Sequence, residues 1–342
     1  MPSVFGPVRK RGKQFFRNLD RLWRMPARME SLEHRIERLT RIVETHARET
    51  QLALGQTSMP PTETWLRQPP MIPGEPAQGV FSHSTTCIQA HFDQPWFSYW
   101  TAHLGEGLRY HRKLWEFVFI CQALWERGAV RPGARGLGFG VGVEPLPAYF
   151  ASQECQVVAT DIGAEIAAQK GWILTNQHAE GGLDPMRRPH LWPAETFERN
   201  VTYREVDMNA VPADLTDFDF CWSACALEHL GSIQHGLDFI ERSIACLKPG
   251  GWAIHTTEYN LTSNDGTIDH EETVVFRRRD LQGLIDRLNA QGHRAAKLEI
   301  VEGEGPVDRF YDLPPYRVQP HLKMAMDGYG VTSVGLIIQR GA

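Results

Sequence analysis

The chain has 342 residues, 42% of them hydrophobic and 23% charged, as in folded globular proteins. Its 36 basic and 41 acidic residues leave a net charge of −5, which argues against a general affinity for nucleic acid. The six cysteines (Cys87, Cys121, Cys155, Cys221, Cys225 and Cys246) form no CxxC pair and no disulfide-like framework. Most stand in apolar stretches as small buried side chains, so a reducing cytoplasm is expected. No apolar run approaches the ~20 residues of a membrane-spanning helix, and the basic N-terminus lacks a signal peptide's apolar core.

Residues 1–55 divide into a basic arm and a helix. Arg9, Lys10, Arg11, Lys13 and Arg17 are interleaved with Phe15, Phe16 and Trp23. This is either a solvated tail or an amphipathic foot making peripheral contact with an anionic membrane. Then Leu22, Met25, Met29, Leu32, Ile36, Leu39 and Val43 recur at steps of three and four, with charged residues between and Pro26 early in the run. That heptad seam reads either as a short coiled coil joining two copies or as one helix packed on its own domain.

Residues 56–80 carry Pro60, Pro61, Pro69, Pro70, Pro73 and Pro76, which suit a linker or strap rather than a helix or central strand. Residues 81–130 form an aromatic-rich helical cap. His91, Phe92, Trp96, Phe97, Tyr99 and Trp100 precede a helix expected over 108–127, and they either cover an acceptor or plug the flank of a sheet. From 131 to the end strands and helices alternate, which predicts a doubly wound α/β domain. Strands are expected near 135–139, 156–161, 201–206, 217–222, 251–257, 296–301 and 332–339. Helices are expected near 145–153, 164–170, 233–247 and 279–291.

The first of these strands ends in Gly138, Gly140 and Gly142, with Glu144 at the start of a helix. Glycines here let the backbone approach a ligand closely. The next strand ends in Asp161, about twenty residues on, where a carboxylate can accept from both hydroxyls of a ribose. The pattern is GxGxG, with Val143 where a dinucleotide fingerprint needs glycine. Glu144 is a poor neighbour for pyrophosphate and a good one for a helix dipole or a ligand's ammonium group.

With these motifs the sequence resembles the class I S-adenosylmethionine-dependent methyltransferases. Three further stretches extend the match: Val206-Asp207-Met208, the run from Phe220 through Ser223 to Leu227-Glu228-His229, and Leu247-Lys248-Pro249-Gly250-Gly251. The resemblance covers about residues 131–340. It implies a Rossmann-like, seven-stranded, mostly parallel sheet whose last strand runs antiparallel. It also implies S-adenosyl-L-methionine as cofactor, held by Gly138, Gly140, Gly142, Glu144, Asp161, Ile162, Asp207, Met208 and Ser223. One departure is Gly136, where the family usually carries an acidic residue. A looser similarity to enzymes of bacterial surface-polysaccharide assembly implies a glycan or small-molecule hydroxyl as acceptor.

An alcohol acceptor needs a base for its proton. The candidates at the carboxyl edge of the sheet are His229, His255 and Glu258. His229 is either that base or a wall of the pocket, and His255 either reaches the acceptor or is a hydrogen-bonded core residue. His229, Glu258, Asp265, Asp269, His270, Glu271 and Glu272 either hold a divalent ion that polarises neighbouring hydroxyls or form a solvated acidic loop; they show no tight metal-ligand spacing, so no metal is expected. Arg277, Arg278 and Arg279 open a helix and either bind phosphate or face solvent. A nicotinamide-dependent oxidoreductase and a non-catalytic scaffold retaining the fold are the alternative readings.

Overall fold

The computed structural model describes residues 25–57, 68–169, 182–269 and 272–342. The basic arm up to residue 24, part of the proline-rich segment (58–67), residues 170–181, and His270 and Glu271 therefore lie outside the described residues. Two compact units are distinguished, Met1–Gln51 and Leu52–Ala342. The helix α1 (Met25–Thr57) continues past the expected end at 43. Pro26 falls in its first turn, where a missing N–H costs no intrahelical bond.

The second unit continues with β1 (Ser84–Thr86), α2 (Gln89–Phe92), α3 (Pro95–Leu104), α4 (Arg112–Glu126), β2 (Arg135–Phe139), α5 (Leu146–Ser152), β3 (Gln156–Asp161) and α6 (Ala164–Gln169). Next come α7 (Ala194–Asn200), β4 (Val201–Glu205), β5 (Phe218–Ala224), α8 (Ile233–Ala245), β6 (Leu247–Asn260) and α9 (Arg278–Ala290). The chain closes with β7 (Arg294–Ala295), β8 (Leu298–Glu299), β9 (Tyr311–Asp312), β10 (Lys323–Met326) and β11 (Tyr329–Gln339).

The fold is α/β and Rossmann-like, with a main strand order of β4-β3-β2-β5-β6-β11-β1-β8. The strands from β4 to β6 are parallel, and β11 runs antiparallel to β6. The sheet has eleven strands among the described residues, not the seven expected. The excess consists of short strands that carry too few residues to show alternation. At the far edge β1 pairs with β11, and β8 lies outside it, so a segment from the aromatic cap completes the sheet.

Two cores flank the sheet, divided by the two-residue period of its strands. Phe220 and Trp222 point into one, with Leu114, Trp115 and Phe119 of α4. Cys221 points into the other, with Leu237 and Ile240 of α8 and Leu281 and Leu284 of α9. The aromatic segment is part of the first core: Phe92, Trp96, Phe97 and Trp100 are buried. Trp100 donates to Gln122 at 2.6 Å and Trp115 donates to His91 at 2.8 Å. These residues plug the flank of the sheet. Arg277 caps α9 through Asp280, a local role that accounts for one of the three adjacent arginines.

β6 begins four residues before the expected 251 and ends three after 257, because Lys248-Pro249-Gly250-Gly251 is a bulge within the strand rather than a turn before it. A proline is tolerated at such a bulge. Gly335 of β11 lies under α4, and a Cβ there would come 2.2–2.6 Å from the Phe119 ring. Gly335→Ala should therefore destabilise the protein by about 1–3 kcal/mol, as overpacked cores do. Urea unfolding measures this, and an unchanged midpoint would show that the ring does not press on the strand.

Candidate active site

The sheet order reverses between β2 and β5, and open α/β sheets bind ligands at the carboxyl ends of strands beside such a switch. A cavity of about 810 Å³ opens there, within the range of small-molecule and cofactor sites. The turn after β2 forms one wall. Gly140 and Gly142 have φ of +59° and +49°, where a side chain is strained. A Cβ on Gly140 would stand 2.6 Å from that of Ala226. Both glycines line the cavity. Gly138 does not, because a Cβ there would strike the Trp222 ring at 2.5 Å, so packing is what excludes a side chain. Gly136 has the same reason: the Phe220 ring would lie 2.6 Å from its Cβ, filling the space that an acidic residue needs.

Asp161 at the end of β3 is buried and reaches back to this turn. Its carboxylate accepts from the backbone N–H of Gly142 at 3.1 Å and of Ile162 at 2.8 Å. Met208 is buried beside the cavity, and Asp207 is exposed and caps the short turn Met208–Ala210 through Asn209 N–H. Asp161, Ile162, Asp207 and Met208 all line the cavity, as does Glu144. Glu144 is buried and accepts from Trp222 Nε1 at 2.6 Å. Burial pushes its carboxyl up to about 8, against the opposing pull of that hydrogen bond and of Lys113.

The other end of the cavity is a knot of charge. Arg112 Nη2 lies 2.6 Å from Glu258 Oε1, and its Nη1 lies 3.3 Å from Glu116 Oε1. Lys113 Nζ sits 3.2 Å from Glu116 Oε2 and donates to the Ala224 carbonyl at 2.7 Å. Ser333 donates to Glu116, and Thr257 donates to Glu228 at 3.1 Å. The register between β6 and β11 sets Ser333 opposite Glu258, which brings both strands to the same arginine.

Glu116, Glu228 and Glu258 are buried, so three carboxylates face two cations. Burial raises the Glu116 carboxyl, but Lys113 and Arg112 overcome it and hold the group below its ordinary value. Burial dominates at Glu228 and Glu258, which repel one another, and both are pushed up. Glu258 Oε2 is buried with no hydrogen-bond partner. Cys225 Sγ and carboxylate oxygens of Glu228 and Glu258 lie within 4.8 Å of one another, a donor set able to take a cation. Arg112 already brings a positive charge to Glu258, at 2.6 Å.

His229 lines the cavity beside Glu228, at the end of the turn Leu227–His229. Its Nδ1 lies 2.9 Å from the Glu272 carbonyl, which can only accept, and 3.1 Å from the Thr273 hydroxyl, so Nδ1 carries a proton. Besides Gly138, two expected site residues are placed elsewhere. His255 is fully buried between the hydroxyls of Ser223, 2.8 Å from Nδ1, and Ser243, 2.9 Å from Nε2. Along β6 it points to the opposite face from Glu258, toward α8. Ser223 is its partner and is likewise absent from the cavity wall. Neither a catalytic role for His255 nor a cofactor contact by Ser223 fits this placement.

The motif reading missed Arg112, Lys113 and Glu116. A signal was present: two cations in the first turn of a helix oppose its dipole, and a lone glutamate interrupts the apolar run from Leu114 to Leu124.

No family model matches the chain. A malonyl-[acyl-carrier protein] O-methyltransferase of Enterobacter lignolyticus (strain SCF1) is 26% identical over 135 residues, 40% of this chain. That match spans 43% of the relative's own length, less than half of it. Among solved structures, the [4+2]-cyclase SpnF is similar with a TM-score of 0.41 at 15% identity, over 66% of this chain and 81% of that one. The CurJ carbon methyltransferase is similar with a TM-score of 0.37 at 16% identity, over 68% of this chain and 54% of that one. A putative sarcosine dimethylglycine methyltransferase from Galdieria sulphuraria gives a TM-score of 0.38 at 10% identity, over 72% and 98%.

The Glu144 carboxyl has a pH consequence. Protonated in the folded chain up to about 8, but only to about 4.5 when unfolded, it stabilises the fold at low pH and loses that effect as pH rises through this window. One such proton gives a slope of up to about 1.4 kcal/mol per pH unit. Glu144→Gln should lose less stability than the parent between pH 5 and pH 8 in urea unfolding. Equal losses would mean that Glu144 ionises normally.

Proposed function

We propose that this chain transfers the methyl group of S-adenosylmethionine to a hydroxyl oxygen of a small-molecule or glycan acceptor. The observation that carries the reading is a single cavity with two chemically different ends. A glycine turn and Asp161 form one, and the partnerless oxygen of Glu258 marks the other. The cofactor fits the first end on the chain's own terms. Gly140 admits no Cβ, and the backbone N–H groups of Gly142 and Ile162 hold the buried Asp161 carboxylate on the cavity wall at the end of β3. A sulfonium-activated methyl group is the chemistry that the cofactor supplies when bound.

In this reading Asp161 accepts from the ribose hydroxyls, with Met208 against the adenine ring and Asp207 near its amino group. Glu144 faces the ligand's ammonium, which favours the ionised carboxylate and so opposes the burial that now holds its proton. Arg112 fixes Glu258 through Oε1, and Oε2, buried without a hydrogen-bond partner, is the oxygen that this reading gives to the acceptor. The acceptor's proton passes to Glu258 as the oxygen–carbon bond forms and the carbon–sulfur bond breaks. A base raised toward neutrality suits that step, because its proton affinity then approaches the demand of the reaction near pH 7. His229, on the same wall, is the second candidate base. A reducing cytoplasm is the compartment this reading assigns, which the six free thiols suit.

Asp161→Ala should weaken S-adenosylhomocysteine binding by about 2–4 kcal/mol through lost hydrogen bonds to a charged acceptor. Calorimetry measures this beside a melting curve that reports the loss of the turn; a folded variant with parental affinity would place the ribose elsewhere. Glu258→Gln should leave that affinity intact and lower turnover by about 10²–10⁴-fold, the range for a lost base. The pH–rate profile should also lose its rise toward neutrality. The acceptor needed for this assay is found by incubating the protein with methyl-labelled cofactor and fractionated glycans and metabolites. A variant that turns over like the parent would remove Glu258 from the chemistry.

A further inference from the structure

The first unit's helix leaves an apolar seam open. Six of the ten large apolar side chains that stand exposed among the described residues belong to α1. Five of them follow one heptad: Met29, Ile36 and Val43 at the a positions, 54%, 60% and 66% exposed, and Leu32 and Leu39 at d, 53% and 60% exposed. Water-exposed leucine, isoleucine and valine at this spacing form a stripe that demands a cover of the same shape. We propose that the cover is a second copy of α1 and that the protein forms a parallel, two-stranded coiled-coil dimer.

Residue type and charge both select this arrangement. Ile36 and Val43 are β-branched and occupy a, while Leu32 and Leu39 occupy d, the distribution that favours two parallel strands over three or four. The flanking positions separate the two orientations. In a parallel pair the g residue of one helix meets the e residue of the next heptad of the other. Arg35 then meets Thr40 and Ile42 meets Ala47, with no like charges opposed. In an antiparallel pair that keeps the seam together, Met29 faces Leu39 and Ile36 faces Leu32. That register sets Arg35 against Arg35 and Glu33 against Glu33 along the two flanks, a repulsion at each. All of these flanking side chains are exposed and available to a partner, apart from any ordering within one helix.

Light scattering of the full chain at tens of micromolar should give twice the mass of one chain, or about 78 kDa from 38.8 kDa per copy. Leu32→Glu with Leu39→Glu should halve that mass and leave the main thermal transition in place, since the seam lies outside the second unit. A monomeric parent would overturn the proposal, as would a double variant that stays dimeric with its melting curve unchanged. Orientation is read by mild oxidation. Leu39→Cys should join to itself in a non-reducing gel. A mixture of Met29→Cys and Leu39→Cys chains that joins only across the two positions would show antiparallel helices and overturn the parallel assignment.

Discussion

Arg112 is the group around which the site is arranged. Its guanidinium sits in the interior, 16% exposed, with Glu258 at 2.6 Å and Glu116 at 3.3 Å. A charge withdrawn from water to that degree is tolerable only when paired and hydrogen-bonded, and removing one partner strands the other. The pairing therefore binds three elements at fixed positions: α4 through Arg112 and Glu116, β6 through Glu258, and β11 through Ser333. A third carboxylate, Glu228, enters from the end of β5 by way of the Thr257 hydroxyl. One more negative than positive group is left over, which leaves the cluster able to take up a proton or a hydrogen-bond donor.

That surplus makes the two ends of the cavity chemically different. At the β2 turn the walls are backbone, and Asp161 is already held by two N–H groups, so the carboxylate is aimed before any ligand arrives. Such preorganisation lowers the ordering that binding requires. At the other end the fixed group is Glu258 Oε1, while Oε2 has no hydrogen-bond partner. Glu144 lies between, on the wall of the first end yet within the electrostatic reach of Lys113. A cationic ligand near Glu144 and a hydroxyl near Glu258 would each supply what burial has removed.

Much of this was legible in the residues. The strands at 135–139 and 156–161 match their expected bounds, and the glycine turn with Asp161 twenty residues on places the cavity at the correct edge. These features are local: a period-two run, a residue that tolerates positive φ, and a carboxylate at a strand end all write themselves into adjacent positions. The loss at Gly136 was visible as a departure, but its cause was not, because Phe220 is 84 positions away in the chain and meets it only through the pairing of β2 with β5.

The sequence alone determined the alternation of strands and helices, the glycine turn, Asp161 and the heptad of α1, since each depends on spacing along the chain. Tertiary structure decided which titratable groups meet. His255 and Glu258 stand three residues apart and were both candidate bases, yet an odd separation in a strand sends one between Ser223 and Ser243 and the other to Arg112. Arg112 and Glu116 become site residues only because α4 crosses β6 and β11, and strand order and helix crossing are properties of burial shared across the whole fold rather than of any one segment.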